Sequence, residues 1–295
     1  MTIPLGKSVY IWNVDACFSG DVERIATALA NCGFQSAILH EAHLARWREP
    51  ERIALVYALH DHGILPVGGA AVYGLDPAAE GREAAAICTE LKLPAFVFDA
   101  ESGWDARSAP DSNAVKLLRT FKERSPGVLA GWCYWSFWRS SSGVSWHPRK
   151  KVIWAAMAEN YGECDFFCPM MYWNPGTDAA SAVAYLEESY NQYRNLTQKP
   201  IIPIGRAYNG DGGTPTAEAI KAFDARAREL GAPGVTWWSM EHALKLAGIW
   251  QALCDLAPYG NIEQPQPEPE PEEPPVELTL EEKVQRLWDI HPELH

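Results

Sequence analysis

Between Ser8 and Trp238 the chain alternates eight times between short apolar runs, many of them β-branched, and segments whose apolar residues recur at helical spacing. Strands are predicted over Ser8–Val14, Gln35–His40, Ile64–Ala70, Pro94–Asp99, Val128–Tyr134, Asp165–Tyr172, Ile201–Gly205 and Gly234–Trp238. Helices are predicted near 21–32, 48–62, 77–91, 111–124, 149–161, 178–194, 216–230 and 241–257. Some ends are legible. Asp21 is placed to cap the first helix and Gly33 to end it, while Thr214-Pro215-Thr216 opens the seventh and Gly231 stops it. Eight strand–helix units joined by short connections predict an α/β protein of the (β/α)8, or TIM, barrel class. The competing fold is a doubly wound open sheet. That architecture uses fewer strands, and no Gly-x-Gly-x-x-Gly turn follows the first strand here.

Alternation along the fourth strand carries the chemistry. In Pro94–Trp104, PAFVFDAESGW, residues two apart share a face, so Asp99 and Glu101 project with Ala95 and Val97, and Phe96, Phe98 and Ala100 point the other way. Two carboxyls side by side at the end of a buried strand are costly to ionise together, because desolvation and mutual repulsion both raise a pKa. The expected use is as an acid; the bland alternative is a pair of solvated loop carboxylates.

A (β/α)8 barrel builds its active site where strands end, and those positions are rich in tryptophan. Trp12, Asn13 and Asp15 follow strand 1, and Tyr73 follows strand 3. Trp104 follows strand 4, Trp132, Tyr134, Trp135 and Trp138 fall at strand 5, and Trp146 lies in the next loop. Strand 6 brings Met170, Met171, Tyr172, Trp173 and Asn174, strand 7 leads to Arg206, Tyr208, Asn209 and Asp211, and strand 8 to Trp237, Trp238, Ser239 and Glu241. Of thirteen tryptophans, four (Trp47, Trp154, Trp250 and Trp288) lie clearly off this rim. Indole faces beside amides and carboxylates suit a sugar ring, which offers a flat C–H face and hydroxyls. Trp12, Asn13, Trp104, Trp135, Trp173, Asn174 and Trp238 are therefore the expected substrate-binding set.

These motifs carry a resemblance over roughly residues 8–257. Phe98-Asp99-Ala100-Glu101 resembles the Asp-x-Glu of the glycoside hydrolase family 25 lysozymes and the end of the signature of the chitinase-like family 18. Pro169-Met170-Met171-Tyr172 resembles the Met-x-Tyr of the chitinase-like group, Trp237-Trp238-Ser239-Met240-Glu241 its strand-8 tryptophan motif, and Gly68-Gly69 its glycine pair. The chain departs at Val97, where the extended chitinase signature has Asp, and at Asn13-Val14-Asp15, where family 25 has Asp-x-Ser. The resemblance implies a glycosidase acting on an N-acetylhexosamine polymer such as peptidoglycan. It implies Glu101 as general acid, Asp99 as partner carboxylate, Tyr172 bonding the reacting group and Trp238 flooring the subsite. Glu241 is the candidate second carboxylate across the barrel if the mechanism inverts. A non-catalytic carbohydrate-binding barrel of the chitinase-like type remains the alternative.

Other chemistries leave weaker traces. His40-Glu41-Ala42-His43 and His60-Asp61-His62 invite a metal-dependent hydrolase, but the first is HxxH rather than HExxH, and the second ends a helix. No P-loop, dinucleotide fingerprint or Gly-x-Ser-x-Gly elbow is present, so neither a cofactor nor a metal is expected. The formal charge of −13 is concentrated after Ile262, where ten acids stand against two bases (net −8), leaving −5 before it. No basic patch suggests nucleic acid or an anionic membrane as partner. The seven cysteines are odd in number, lack CxxC spacing and mostly sit in apolar patterns, which predicts small buried hydrophobes in a reducing cytoplasm. The N-terminus carries neither a signal-peptide apolar run nor a cleavage site, so a cytoplasmic product is expected. Release to a cell wall would need a separate route, as in phage and prophage lysins, which this organisation resembles.

Three segments are expected: a barrel over 1–260, a Pro/Glu-rich, disordered linker over 261–277 and a short helix within 278–295. Thr279 to Glu282 reads as a capping box, and Leu280, Val284, Leu287 and Trp288 mark one apolar face. A helix this short is marginal alone, so docking on the barrel, on another copy or on a partner is expected.

Overall fold

The computed structural model describes residues 5–108, 110–136, 163–174, 176–210, 212–246 and 248–260. Among these, eight parallel strands pair in chain order and the last closes on the first, giving the predicted (β/α)8 barrel. The strands are β1 (Lys7–Ile11), β2 (Ser36–Glu41), β3 (Leu65–Val72), β4 (Ala95–Ala100), β5 (Leu129–Trp135), β6 (Phe166–Met170), β7 (Ile204–Arg206) and β8 (Val235–Trp238). The helices are α1 (Val22–Asn31), α2 (Pro50–Asp61), α3 (Pro77–Glu90), α4 (Ser102–Asp105), α5 (Pro110–Arg124), α6 (Ala179–Arg194), α7 (Ala217–Glu229), α8 (Met240–Ala243) and α9 (Ile249–Cys254). The helix expected near 149–161, the rim residues Trp138, Trp146 and Asp211, and the linker and terminal helix expected over 261–295 lie outside the described residues.

Local chemistry fixes the helix ends. Asp21 Oδ1 accepts from Arg24 N at 3.0 Å, and Thr216 Oγ1 from Ala219 N at 3.1 Å, satisfying first-turn amides that have no partner within the helix. Gly33 and Gly231 leave α1 and α7 at φ +67° and +79°, a backbone region open to glycine at little cost. The single helix expected over 241–257 is instead two short ones, α8 and α9. Gly248 stands at φ +79° between them, a conformation that interrupts a right-handed helix.

Strand parity divides the core in two. Tyr10, Ile38, Val67, Ala95, Val97, Leu129, Cys133, Phe166, Cys168, Met170, Ile202 and Ile204 pack inside the barrel. The alternate residues, such as Ile11, Leu39, Phe96, Phe98 and Trp132, pack against the helices. Gly131 is what lets the interior close. A Cβ there would stand 2.4 Å from the Phe166 ring, so the missing side chain makes room for the phenyl.

At the N-terminal end of the strands Lys7 is buried, and its Nζ donates to the carbonyls of Cys32, Cys254 and Leu256 at 2.5, 3.1 and 2.7 Å. Burial pulls its pKa down to about 8. Beside it Cys32, after α1, forms a disulfide with Cys254, at the end of α9, 222 residues away. The expectation of reduced cysteines is corrected at this one pair. The pairing was invisible in the sequence because barrel closure, not spacing, brings the first and last helices together. The other five cysteines are buried free thiols, as expected. No helix among the described residues is long and apolar enough to cross a membrane.

Candidate active site

Strand 4 delivers its two carboxyls to the C-terminal mouth in unequal surroundings. Asp99, in register with Ala71 of β3 and Cys133 of β5, is only 8% exposed. Its Oδ2 is 2.9 Å from His40 Nε2, also buried; with Asp99 ionised, the imidazole N–H donates. Glu101, one residue beyond the end of β4, is open to solvent at the rim. The surrounding walls still strip enough water to push its pKa up to about 7. Repulsion from Asp99 adds to this, and His40 partly offsets it. One carboxyl is thus sunk and tethered while the other is accessible and stays protonated up to neutrality. Such a division separates a proton donor from a fixed electrostatic partner.

Aromatic side chains enclose the pair. The Tyr10 ring lies 5.1 Å from Trp238 and 6.0 Å from His40, and Trp238 meets His40 edge-on at 5.7 Å. Trp12, 46% exposed, continues the row at 6.4 Å from Trp238. On another side Tyr172 stands edge-on to Tyr208 at 5.4 Å. Burial raises the Tyr10 and Tyr172 phenols well above 10, and the Cys133 thiol rises through burial and the neighbouring Asp99. All three therefore stay protonated beside the carboxyls.

The predicted site residues separate into two groups. Asp99, Glu101, Tyr172, Trp12 and Trp238 gather at the mouth, with Trp135 half-buried at the end of β5. Asn13 and Asn174 are exposed, and Asn13 Oδ1 accepts from Ala16 N at 3.1 Å to hold the turn after β1. Trp104 and Trp173, by contrast, are fully buried, and this corrects the expectation that they are sugar platforms. Trp104 packs edge-on against Trp132 at 5.1 Å, and Trp173 lies 5.3 Å from Phe223 with the Arg206 guanidinium 5.1 Å from its ring. Neither has a free face. The tryptophan enrichment at strand ends is thus partly packing between strands and helices, where Trp132 and Trp237 are also fully buried.

Glu241, in the short α8 that follows β8, is 2% exposed and accepts from Ser239 Oγ at 2.6 Å. It lies near Cys17, whose thiol is pushed up to about 12 by burial and then by Glu241. Buried and bonded to Ser239, it does not open on the mouth, which corrects the expectation of a second carboxylate there. His40 and Tyr10 are the residues missed as members of the carboxyl site. Their signal was strand parity: Ser8, Tyr10 and Trp12 share one face of β1, and Ser36, Ile38 and His40 one face of β2. The HxxH spacing instead drew His40 towards a metal reading. His43 packs on Tyr73 at 6.1 Å, and His62 meets Thr27 Oγ1 at 3.1 Å and the Ala58 carbonyl at 2.9 Å. Among the described residues no group of three or more His, Cys, Asp or Glu is placed to hold a metal ion.

No family model matches the chain, and no curated protein matches its sequence. Its backbone is nonetheless similar to solved (β/α)8 barrels. A GH18 chitinase from Pseudoalteromonas aurantia aligns with a TM-score of 0.60 at 13% identity, over 83% of this chain and 99% of that one. The Bacillus cereus spore cortex-lytic enzyme SleL aligns at 0.62 and 12% identity, over 86% and 74%. A β-mannanase from the blue mussel Mytilus edulis aligns at 0.55 and 12% identity, over 85% and 91%. At these identities the likeness establishes the fold: the chain is a (β/α)8 barrel.

Proposed function

We propose that the barrel is a glycoside hydrolase acting on an N-acetylhexosamine polymer, with peptidoglycan the best-fitting substrate. The observation that carries this reading is the asymmetry of the carboxyl pair, with Glu101 raised to about 7 at the open rim and Asp99 buried against His40. The similarity of the backbone to a chitinase and to a spore cortex-lytic enzyme supports the same substrate class.

In the proposed reaction Glu101 gives its proton to the glycosidic oxygen as the C1–O bond breaks. Asp99 and Glu101 approach the substrate from the same strand end, whereas an inverting pair places its base on the opposite face of the sugar. The geometry suits substrate assistance: the N-acetyl oxygen attacks C1, Asp99 accepts from the N–H as positive charge develops, and Tyr172 donates to the acetyl oxygen. Glu101, now a carboxylate, takes a proton from the water that opens this intermediate, with net retention. His40 fixes the Asp99 carboxylate, and Trp238 floors the subsite.

The test is Glu101→Gln in a turbidity assay on purified bacterial cell walls and on chitin-type oligomers, with product analysis to distinguish glycan from peptide cleavage. A loss of about 10²–10⁴-fold is expected for removal of a general acid. Activity near the wild-type level overturns the assignment. Glycan binding by the wild type without turnover anywhere between pH 4 and 8 would make the barrel a carbohydrate-binding protein instead.

A further inference from the structure

Three polar side chains that follow β8 have no part in the reaction proposed above. Ser239 Oγ donates to Glu241 Oε1 at 2.6 Å and meets His242 Nδ1 at 2.7 Å. Ser239 and Glu241 are buried, whereas 39% of the His242 side chain is exposed. The trio is not a nucleophilic triad, because a serine that is 0% exposed cannot meet a substrate carbonyl.

One proton decides the state of the imidazole. A hydroxyl carries a single proton, and that of Ser239 goes to the Glu241 carboxylate. The contact between Ser239 and His242 therefore takes its proton from the ring, so Nδ1 is the protonated nitrogen. The Glu241 charge, 3.7 Å from Nδ1, favours the same arrangement. In the neutral imidazole this leaves Nε2 with a lone pair and no proton. The two ring nitrogens point nearly opposite ways, so an Nδ1 turned in to buried Ser239 turns Nε2 outwards. The ring also stands among the aromatic residues of the mouth. It lies 6.2 Å from Tyr208, which follows β7, and Tyr208 stands edge-on at 5.4 Å to Tyr172, which follows β6.

We propose that Glu241 and Ser239 hold His242 as a hydrogen-bond acceptor for a sugar hydroxyl on the β8 side of the mouth; the proposal rests on the glycosidase reading for its polymer. His242 is the specificity-determining contact, and Ser239 and Glu241 are positioning residues that act through it. A neutral histidine whose proton sat on Nε2 would offer a donor at the same place, so the buried pair sets which kind of group is accepted.

Nitrogen NMR of the full chain with isotope-labelled histidine reads the tautomer without substrate. The neutral His242 ring should carry its proton on Nδ1, and Ser239→Ala should shift it to Nε2 in most molecules. Binding is measured by calorimetry in Glu101→Gln with an N-acetylglucosamine trimer and with analogues lacking the C3 or the C6 hydroxyls. One analogue should bind about tenfold more weakly than the parent, as expected for one good hydrogen bond. His242→Phe should abolish that difference, and His242→Gln, which restores an acceptor, should recover much of it. An Nε2–H ring in the wild type, equal binding of all three trimers, no binding of any, or undiminished discrimination in His242→Phe overturns the proposal. If Glu101→Gln still abolishes hydrolysis in that case, the glycosidase reading stands without this contact. If Glu101→Gln turns over normally while KM still discriminates through His242, the contact stands and the acid assignment falls.

Discussion

The alkaline limb of the pH–rate profile should belong to Glu101, and its two neighbours should move it in opposite directions. A carboxyl of pKa about 7 is half protonated at pH 7, whereas one left at 4.5 would be protonated in roughly one molecule in 300. The raised value therefore supplies about 150 times more of the acid form at neutrality. Activity should fall about tenfold per pH unit above 7. Asp99→Asn removes the repulsion that holds the pKa up, so the limb should move to lower pH; burial remains, so it should stop short of 4.5. His40→Gln removes the group that holds the pKa down, so the limb should move to higher pH. Both substitutions will also lower the rate, but the position of the limb is read independently of its height. The assay is kcat/KM from pH 4 to 9 on a labelled N-acetylglucosamine oligomer. A wild-type profile flat from pH 6 to 9, or a limb that neither substitution moves, would refute the assignment of Glu101 as the acid.

Further outcomes follow from the same contacts. Because the native state holds the Glu101 proton more tightly than the unfolded chain, its contribution is fully present below about 4.5 and is lost as pH rises through about 7. Glu101→Gln should therefore raise the melting temperature more at pH 8 than at pH 4, as measured by calorimetry. Arg52→Met leaves the buried Glu41, whose pKa burial already raises, without its ion-pair partner. A loss of about 3–5 kcal/mol is expected in urea unfolding. Opening the Cys32–Cys254 link by Cys254→Ser should lower stability by about 2–4 kcal/mol, and a reductant should mimic it in the wild type but not in the variant. Trp104→Ala should cost about 3–5 kcal/mol by leaving a cavity against Trp132. Trp12→Ala, at an exposed position, should leave the melting temperature nearly unchanged and act on KM.

Repetition made the barrel legible in the sequence. Period-two and helix-period patterns alternate eight times, and each unit buries its apolar face only against its neighbours, so strand count and helix caps predict closure without any long-range information. The same parity put Asp99 on the inner face of β4 with Ala95 and Val97, and Glu101 follows just beyond the strand, close enough for the two carboxyls to repel. What parity could not resolve was depth. A tryptophan at a strand end reads alike whether it faces a ligand or a helix, and packing against Trp132 and Phe223 sent Trp104 and Trp173 into the core while Trp12 and Trp238 stayed at the mouth.

Tertiary structure alone decided the pairings between distant segments. His40 and Asp99 are 59 residues apart, and Cys32 and Cys254 are 222 apart. The first pair meets because β2 and β4, on either side of β3, turn these residues inward when the sheet curls, and the second because closure brings α1 and α9 side by side. The sequence by itself determined that two carboxyls share one face at the end of the fourth strand. That one is tethered and buried while the other remains a titratable acid near neutrality depends on what surrounds them. Desolvation and a charged neighbour are properties of packed space, and they have no period along the chain.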